Sequence, residues 1–378
     1  MSPLRIALIR ARYNPFGGAE RFVTNALSAL QSSSVQLTIL TRSWQAQPGV
    51  DTLVVNPFYL GSVWRDWSFA RGVCRALRSE KFDLVQSHER LACCDVYRAG
   101  DGVHREWLHQ RCRGKNFRER LTITMNPYHR YVLQAERALF QSNRLRAVIC
   151  NSEMVKNEIR HHFSLSEPKC RVIFNGVDSE RFSPRLRETH RNGFRDKLGI
   201  PRDVTVYLLV GSGFERKGVG TFLRALSALP ADCHGVIVGR DKRQRHYEKL
   251  ATTLGLTQRA HFTGGLTDAG PAYGAADAFV LPTLYDPFPN AVLEAMASGL
   301  PVITSTKSGA AELIDHGANG YQCDALDEPK LAQLMTRLRD PKRRAAMGEA
   351  GRQTVVPLTF EAMSSRLLAL YEELLDQA

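Results

Sequence analysis

Residues 286–302 read Asp-Pro-Phe-Pro-Asn-Ala-Val-Leu-Glu-Ala-Met-Ala-Ser-Gly-Leu-Pro-Val, a loop that turns into a helix. The two prolines before the helix remove backbone donors and keep the chain extended, so the helix is predicted to start at Asn290, a favoured N-cap residue. The N–H groups of Ala291, Val292 and Leu293 would then have no intrahelical acceptor, and they would lie at the positive end of the helix dipole. The stretch therefore predicts a seat for an anion such as a pyrophosphate.

Two carboxylates flank this helix start. Glu294 lies one turn inside the helix, where it could accept hydrogen bonds from the paired hydroxyls of a ribose. Asp286 lies outside the helix and could do the same for a sugar ring. A structural interpretation fits the same residues, since Val292, Leu293 and Met296 would pack a short amphipathic helix on a sheet.

A second element of the phosphate-binding type lies upstream, at residues 211–218, Gly-Ser-Gly-Phe-Glu-Arg-Lys-Gly. It begins with Gly211, follows an apolar run of strand length and precedes a segment of helical periodicity. Open α/β sheets bind ligands at such strand-to-helix turns. Arg216 and Lys217 place two cations there, which could neutralise a diphosphate. The element has neither the Walker spacing nor the G-x-G-x-x-G spacing of a dinucleotide fold.

Together the two elements resemble the retaining glycosyltransferases of the two-Rossmann-domain GT-B type, family four. Within that family, Phe16–Gly18, Thr41–Trp44 and Phe214–Gly218 look like the glucosyltransferases that extend the lipopolysaccharide core. One departure concerns the family's E-x7-E signature, because Asp286 stands at its first position and Pro289 replaces the glycine after the phenylalanine. Further matches cover nearly the whole chain, at residues 14–21, 148–156 and 172–184.

The resemblance implies an α/β fold of two Rossmann-like domains with a deep cleft between them. The alternation of strand and helix patterns agrees, since each parallel sheet needs helices on its faces. We expect an acceptor-binding domain at residues 1–183, a nucleotide-sugar-binding domain at residues 184–356, and a last helix, residues 357–378, that crosses back to the first domain. The linker is predicted near residues 182–187, where a polar stretch, residues 183–195, begins.

The resemblance also implies a site between the domains. Gly17 and Gly18 would approach the donor phosphates from the first domain, and the leaving phosphate would help to deprotonate the acceptor hydroxyl. The chain contains no Asp-x-Asp triplet, so we expect no metal and no other cofactor, with Arg216 and Lys217 stabilising the leaving group instead. The predicted catalytic residues are Asp101, Arg216, Lys217 and Asp286.

Candidates for the acceptor side come from the first domain. Asp101 ranks first, because residues 95–101 resemble the acceptor-side segment of the core glucosyltransferases. His88 and His104 also follow strand-like segments, and Glu20 lies behind the N-terminal glycine loop. Each of these residues, taken singly, also fits a structural role in a loop or a helix start.

Composition limits the class of protein. A chain of 378 residues is long enough for two domains, and no run approaches the length of a membrane span. The start reads as a strand rather than a signal peptide, so a cytoplasmic protein is expected. Eight cysteines without C-x2-C spacing predict neither a zinc site nor a disulfide framework.

The net charge of +13 is not evenly spread, and basic residues are frequent between Arg98 and Arg120, where they are interleaved with Trp107, Leu108 and Phe117. This composition is typical of segments that bind an anionic membrane surface. Such binding would make the protein peripheral on the inner face of the cytoplasmic membrane. A solvated basic loop is the alternative, and nucleic acid is disfavoured because no recognition motif accompanies the charge. The basic residues predicted to contact the membrane are Arg111, Arg113, Lys115 and Arg118.

The sequence thus predicts a retaining hexosyltransferase that moves a sugar, glucose on UDP being the first choice, to a lipopolysaccharide-core or other lipid-linked acceptor. A sugar-nucleotide epimerase of the same fold and a non-catalytic subunit that binds nucleotide sugars or glycans are the alternatives. A nicotinamide dehydrogenase is disfavoured by the glycine spacings.

Overall fold

The computed structural model describes residues 4–12, 35–43 and 51–376. Gly17, Gly18 and Glu20 lie outside the described residues, as does Trp44. The chain divides into two compact units, Met1–Gly176 with Phe360–Ala378, and Val177–Thr359. The boundaries expected from the sequence, after residues 183 and 356, both fall inside the second unit.

The first unit is built on a parallel sheet of seven strands in the order β3-β2-β1-β4-β5-β6-β7. The chain order reverses between β1 and β4, which pair side by side at the centre. The strands are β1 Leu4–Ile9, β2 Val35–Thr41, β3 Asp51–Val54, β4 Leu84–Ser87, β5 Val96–Arg98, β6 Ala147–Cys150 and β7 Cys170–Val172.

Helices cover both faces of this sheet. One face packs on the first, fourth and fifth described helices, which contribute buried residues such as Phe69, Leu139 and Val155. The other face packs on the last helix of the chain through Leu367 and Leu370. The helices of this unit are α1 Gly61–Ser79, α2 His104–Cys112, α3 Phe117–Thr124, α4 Pro127–Phe140, α5 Glu153–Phe163 and, at the C-terminal end, α14 Phe360–Asp376.

The second unit repeats the design with six parallel strands in the order β10-β9-β8-β11-β12-β13. The predicted α/β class with two parallel, helix-covered sheets is therefore confirmed. Its strands are β8 Thr205–Val210, β9 Cys233–Val238, β10 Ala260–Gly264, β11 Ala278–Leu281, β12 Val302–Ser305 and β13 Gly320–Cys323. Its helices are α6 Arg185–Leu198, α7 Phe214–Lys217, α8 Val219–Ser227, α9 Gln244–Thr253, α10 Gly270–Ala275, α11 Asn290–Ala297, α12 Glu328–Arg337 and α13 Pro341–Val355.

The linker predicted near residues 182–187 lies inside the second unit, and from Arg185 onward the polar stretch forms helix α6. Its charged residues hold the helix on the second unit rather than keeping it in solvent. Arg195 Nη2 lies 2.7 Å from Asp277 Oδ2, and Arg187 and Arg191 reach Asp277 Oδ1 at 3.2 and 3.1 Å. The three arginines are four residues apart and share one helix face. The polar composition suggested a linker because Asp277, the buried residue that pairs with these arginines, lies far away in the sequence.

Asp277 is almost fully buried, and so is Arg195. Burial alone would raise the pKa of the Asp277 carboxyl, but the nearby guanidinium groups, Arg191 and Arg195 first, outweigh it and hold the pKa below its ordinary value. The carboxylate also accepts the Val206 N–H of β8 at 2.9 Å. Helix α6 is thus tied to the central strands of the second sheet.

Three features of the fold were not predicted. Strands β5 and β13 are short and contain polar residues, so no periodicity marks them. Cys74 of α1 and Cys93, in the loop between β4 and β5, form a disulfide, contrary to the prediction of no disulfide framework. Their sequence separation of 19 residues carries no recognisable pattern.

The helices in the described part of the chain include none with the length and apolar character that a membrane span needs.

We expect Asp277→Asn to lower the free energy of unfolding by about 3–5 kcal/mol, because three guanidinium groups would lose their buried counter-charge. Urea denaturation followed by circular dichroism measures this loss. The difference from the wild type should shrink as the pH falls below the ordinary carboxyl range, since a group with a lowered folded pKa stabilises only while ionised. Asp232→Asn is the matched control: its pair with Arg339, at 2.7 Å, is exposed, so a change of about 1 kcal/mol or less is expected. Equal losses in both variants would contradict the assignment.

Candidate active site

The carboxyl ends of the strands in the second sheet bring the two predicted elements together. Strand β8 lies between β9 and β11, so the chain order reverses between β8 and β11. Residues 211–218 follow β8, and residues 282–289 follow β11. Both loops therefore flank the switch point where open parallel sheets bind ligands.

The glycines of the first loop make room for its neighbours. A Cβ on Gly211 would lie 2.7 Å from Lys217 Cε, so any larger residue there would force the lysine side chain to shift. Gly218 has a φ of +73°, and a Cβ there would lie 1.9 Å from the Pro282 carbonyl oxygen. The absence of a side chain at Gly218 lets the two loops approach each other closely.

Hydrogen bonds join the second loop to its neighbours on both sides. The Leu284 N–H and the Thr283 hydroxyl both donate to the Arg216 carbonyl oxygen at 2.8 Å. On the other side, the Asp286 N–H donates to the Lys307 carbonyl at 3.0 Å, and the Gly309 N–H donates to the Asp286 carbonyl at 2.8 Å. The backbone around Asp286 is therefore fixed between the loops that follow β8 and β12.

Asp286, Arg216 and Lys217 form one charge cluster. Lys217 Nζ lies 2.5 Å from Asp286 Oδ2, and Arg216 Nη1 lies 3.2 Å from the same oxygen. Asp286 and Lys217 are buried, whereas the Arg216 side chain is 38% exposed. A partly exposed guanidinium beside a buried ammonium suits an anionic ligand at this edge, and Asp286 offsets part of their charge.

Burial and charge compete in this cluster. Burial would raise the pKa of Asp286, but Lys217 and Arg216 outweigh it and lower the pKa of the carboxyl. Burial is the largest influence on Lys217 and lowers its pKa. The Asp286 carboxylate opposes this effect and the Arg216 guanidinium adds to it, so the pKa of the ammonium remains below its ordinary value. The Lys217 charge therefore depends on Asp286.

The start of helix α11 differs from the prediction. Pro289 takes the N-cap position without a side-chain cap, and Asn290 is the first helical residue, so the assignment of Asn290 as N-cap is wrong. Pro289 already has extended backbone angles and a fixed φ, which let the chain enter the helix one residue early. The Val292 N–H donates to the Pro289 carbonyl at 3.0 Å and is therefore not left for an anion. Ala291 and Leu293 remain the candidates, with Ala291 half-buried and Leu293 buried.

Glu294 lies one turn into α11, as predicted from its spacing, and it is buried. Its Oε2 accepts a hydrogen bond from the Tyr273 hydroxyl at 2.8 Å. The sequence analysis missed Tyr273. It belongs to the short helix α10 between small residues, where neither a motif nor a periodic pattern distinguishes it.

In the first unit, His88 and Asp101 lie after the carboxyl ends of neighbouring strands, β4 and β5. His88 is buried, and its Nε2 lies 3.2 Å from Gln86 Nε2. Burial, together with Arg98 and Arg10, holds the pKa of His88 well below its ordinary value, so the ring is neutral near pH 7.

Asp101 and His104 are linked by a partly buried ion pair that the sequence did not reveal. Arg90 Nε lies 3.1 Å from Glu136 Oε1, and the same carboxylate oxygen accepts the His104 N–H at 3.0 Å. Arg90 also approaches Asp101, whose side chain is 67% exposed, at 3.8 Å. Burial, Arg90 and His129 lower the pKa of His104 to about 3. The turn at residues 101–104 is thus anchored to helix α4, with Asp101 facing solvent.

The predicted membrane residues lie on and around helices α2 and α3. Arg118 is exposed, whereas Arg111, Arg113 and Lys115 are half-buried. Arg111 Nη1 lies 3.4 Å from His129 Nε2, and Arg113 donates to Gln110 Oε1 at 3.0 Å. Arg98, at the start of the basic segment, is buried and donates to Asn175 Oδ1, so it does not belong to a surface.

Comparison with known proteins agrees with this geometry. Residues 16–181 match the Glycosyltransferase Family 4 model, and residues 190–354 match the model of glycosyl transferases group 1. The lipopolysaccharide glucosyltransferase WaaG of Escherichia coli K12 is 28% identical over 315 residues, which cover 82% of each chain. The D-inositol 3-phosphate glycosyltransferase of Salinispora arenicola is 25% identical over 98% of this chain and 92% of its own.

Solved structures share the fold along the whole chain. The crystal structure of WaaG superposes with a TM-score of 0.83 at 25% identity, covering 96% of this chain and 98% of its own. Anabaena HepE in complex with UDP and glucose superposes with a TM-score of 0.76 at 19% identity, covering 98% and 100%. Both family models and these superpositions bear out the resemblance seen in the sequence, and the chain belongs to the group 1, family 4 glycosyltransferases with the GT-B fold.

Proposed function

We propose that this glycosyltransferase moves a hexose, glucose being the first choice, from UDP to a lipopolysaccharide-core or other lipid-linked acceptor with retention of configuration. The observation that carries the proposal is the cluster of Arg216, Lys217 and Asp286 beside the start of α11, at the switch point of the second sheet. A buried ammonium and a partly exposed guanidinium at a helix start form a seat for a diphosphate.

The donor assignment follows from the order in which the candidate residues lie along this edge of the sheet. Glu294 lies one turn behind the anion seat, where a ribose attached to the diphosphate would lie, and its carboxylate can accept from both ribose hydroxyls. The sugar would lie on the other side of the diphosphate, near Asp286. The names of related proteins support this choice, since WaaG is a glucosyltransferase and the HepE structure contains UDP and glucose.

The proposed reaction needs charge stabilisation on the leaving diphosphate. In a retaining transfer the bond from the anomeric carbon to the phosphate oxygen breaks, the acceptor oxygen attacks from the same face, and its proton passes to the departing phosphate. Arg216 and Lys217 stabilise the charge that develops there, which is the role of preorganised cations in transfer reactions. Asp286 keeps Lys217 protonated in its buried position.

The acceptor would bind to the first unit. Asp101 is exposed at the end of β5 and is the residue we assign to the acceptor hydroxyl or the reacting sugar. His88 and His104 have lowered pKa values, so they would contribute neutral hydrogen-bonding groups. Gly17, Gly18 and Glu20 are assigned to the donor phosphates and the acceptor on the family resemblance alone. The acceptor itself is chosen from the name of WaaG, and the inositol phosphate enzyme shows that relatives differ in this respect.

Incubation of the purified protein with UDP-[14C]glucose and lipopolysaccharide lacking its outer core tests the function. We expect label in the lipopolysaccharide and an α-linked product by NMR. Conversion of UDP-glucose to an isomer without acceptor would favour the epimerase. Binding without hydrolysis or transfer would favour the non-catalytic subunit.

We expect transfer to persist in EDTA, because protein cations take the place of a metal at the diphosphate. Lys217→Ala should lower kcat by about two orders of magnitude, the scale of losing one transition-state charge contact. Arg224→Ala is the control, since this arginine of α8 forms a solvent-exposed pair with Glu328, and it should change kcat little. A strict requirement for magnesium or manganese would contradict the proposal.

The affinity for UDP should fall as the pH rises toward 10.5, the ordinary pKa of lysine, because Lys217 loses its proton below that value. Asp286→Asn removes the group that opposes this loss, so the midpoint of the fall should move to lower pH. Calorimetry across this range measures both midpoints. Lys217→Arg is the control, because a guanidinium keeps its charge and the fall should disappear. Identical midpoints in wild type and Asp286→Asn would show that Asp286 does not sustain the charge.

We also propose that helix α3 contacts an anionic membrane surface, which would place the enzyme on the inner face of the cytoplasmic membrane. Phe117, Leu121 and Met125 are spaced by four residues and are 76, 45 and 64% exposed, so one apolar stripe faces solvent. Ile123 faces inward. Arg118 flanks the stripe, a combination typical of helices that lie at a membrane interface.

We expect the protein to sediment with vesicles that contain phosphatidylglycerol, and to be released by high salt, because the charge attraction is screened within about 8 Å at physiological ionic strength. The variant Phe117→Ser/Leu121→Ser/Arg118→Glu should lose sedimentation but retain UDP binding. Leu326→Ser/Val356→Ser, which changes exposed apolar residues of the second unit, is the control. Sedimentation that survives the α3 changes would exclude this helix as the contact.

A further inference from the structure

We infer that Tyr273 is a positioning residue for nucleotide recognition, whose hydroxyl holds the Glu294 carboxylate in the orientation that binds the ribose of the donor. The inference rests on the proposed function, which assigns the ribose to Glu294. Tyr273 Oη lies 2.8 Å from Glu294 Oε2 and 3.3 Å from the Ala291 carbonyl oxygen. A phenol has a single proton, and the nearer, charged acceptor takes it.

The position of this hydroxyl is set by the core of the second unit. Tyr273 is 1% exposed, and its ring packs against Phe182 and Phe279 at centroid distances of 5.6 and 6.1 Å. Helix α10 lies so close to α6 that a Cβ on Gly274 would be 2.1 Å from the Leu186 carbonyl oxygen. The phenol therefore has no freedom to follow the carboxylate, and the carboxylate aligns to the phenol.

This alignment matters because a free glutamate side chain has several rotamers. Ordering it at the moment of binding would cost affinity, whereas a carboxylate that is already fixed avoids that cost. Each carboxylate oxygen has two acceptor positions, so Oε2 can hold the phenol and still accept from a ribose hydroxyl. Tyr273 should then strengthen binding only for ligands that carry the ribose hydroxyls, and should not affect the diphosphate seat.

The test compares the dissociation constants of UDP and 2′-deoxy-UDP, measured by calorimetry. In Tyr273→Phe, UDP should bind about tenfold more weakly, the scale of a hydrogen bond to a charged group, while 2′-deoxy-UDP should lose less. The preference for UDP over the deoxy compound therefore falls. In Tyr273→Phe/Glu294→Gln, the preference should be no lower than in Glu294→Gln alone, because the phenol acts through the carboxylate.

Tyr207→Phe is the matched control. Tyr207 is also fully buried in the second unit, but its hydroxyl donates to the Met335 carbonyl at 2.7 Å, on α12. Its removal should leave the preference unchanged. A preference that falls equally in Tyr207→Phe and Tyr273→Phe would mean general loosening of the unit and would overturn the inference.

The remaining outcomes separate the two proposals. If Glu294→Gln reduces the preference and Tyr273→Phe does not, Tyr273 does not position the carboxylate, and the ribose assignment stands. If Glu294→Gln keeps the wild-type preference, the ribose assignment and the role of Tyr273 are both overturned.

Discussion

The buried ion pair between Lys217 and Asp286 is the interaction on which the second unit's site depends. It joins the loop after β8 to the loop after β11, on either side of the switch point. Each charge would be costly to bury alone, and each makes the other's burial tolerable. Gly211 supports this pair, because a Cβ there would force the lysine side chain to shift. The geometry, the charge state and the glycine of this motif are therefore one constraint.

Residues far from the proposed anion seat fix the position of Glu294, the other part of the candidate site. Asp277 fixes α6 through three arginines, α6 packs closely on α10, and α10 carries Tyr273 to Glu294. Each link is a buried contact with little freedom to relax, since interiors are packed at crystal density. The polar helix α6, whose sequence resembles a linker, therefore affects the position of the Glu294 carboxylate on α11. Rigid supporting contacts of this kind reduce the cost of ordering a ligand site.

The first unit is organised differently. Its candidate residues lie on turns after β4 and β5, and Asp101 is exposed, although the pair of Arg90 and Glu136 anchors its turn. Turns on a rigid sheet can vary without loss of the fold, which suits the acceptor-binding role that we propose for this unit. Relatives that share the fold carry names with different acceptors, a lipopolysaccharide in one case and inositol 3-phosphate in another. The fold alone therefore does not determine the acceptor.

The sequence by itself determined the α/β class, with its alternation of strands and helices, and the two elements of the candidate donor site. These features are local: periodicity, glycine turns and prolines act within a few residues. Only the tertiary structure decided that Asp286 neutralises Lys217, that residues 185–198 form a helix held by Asp277, that Cys74 meets Cys93, and that Tyr273 contacts Glu294. Each of these depends on two segments that are distant in the chain and meet only when the sheet forms. A sequence pattern shows which residues can be charged or buried, but the partner that makes burial favourable is chosen by the fold.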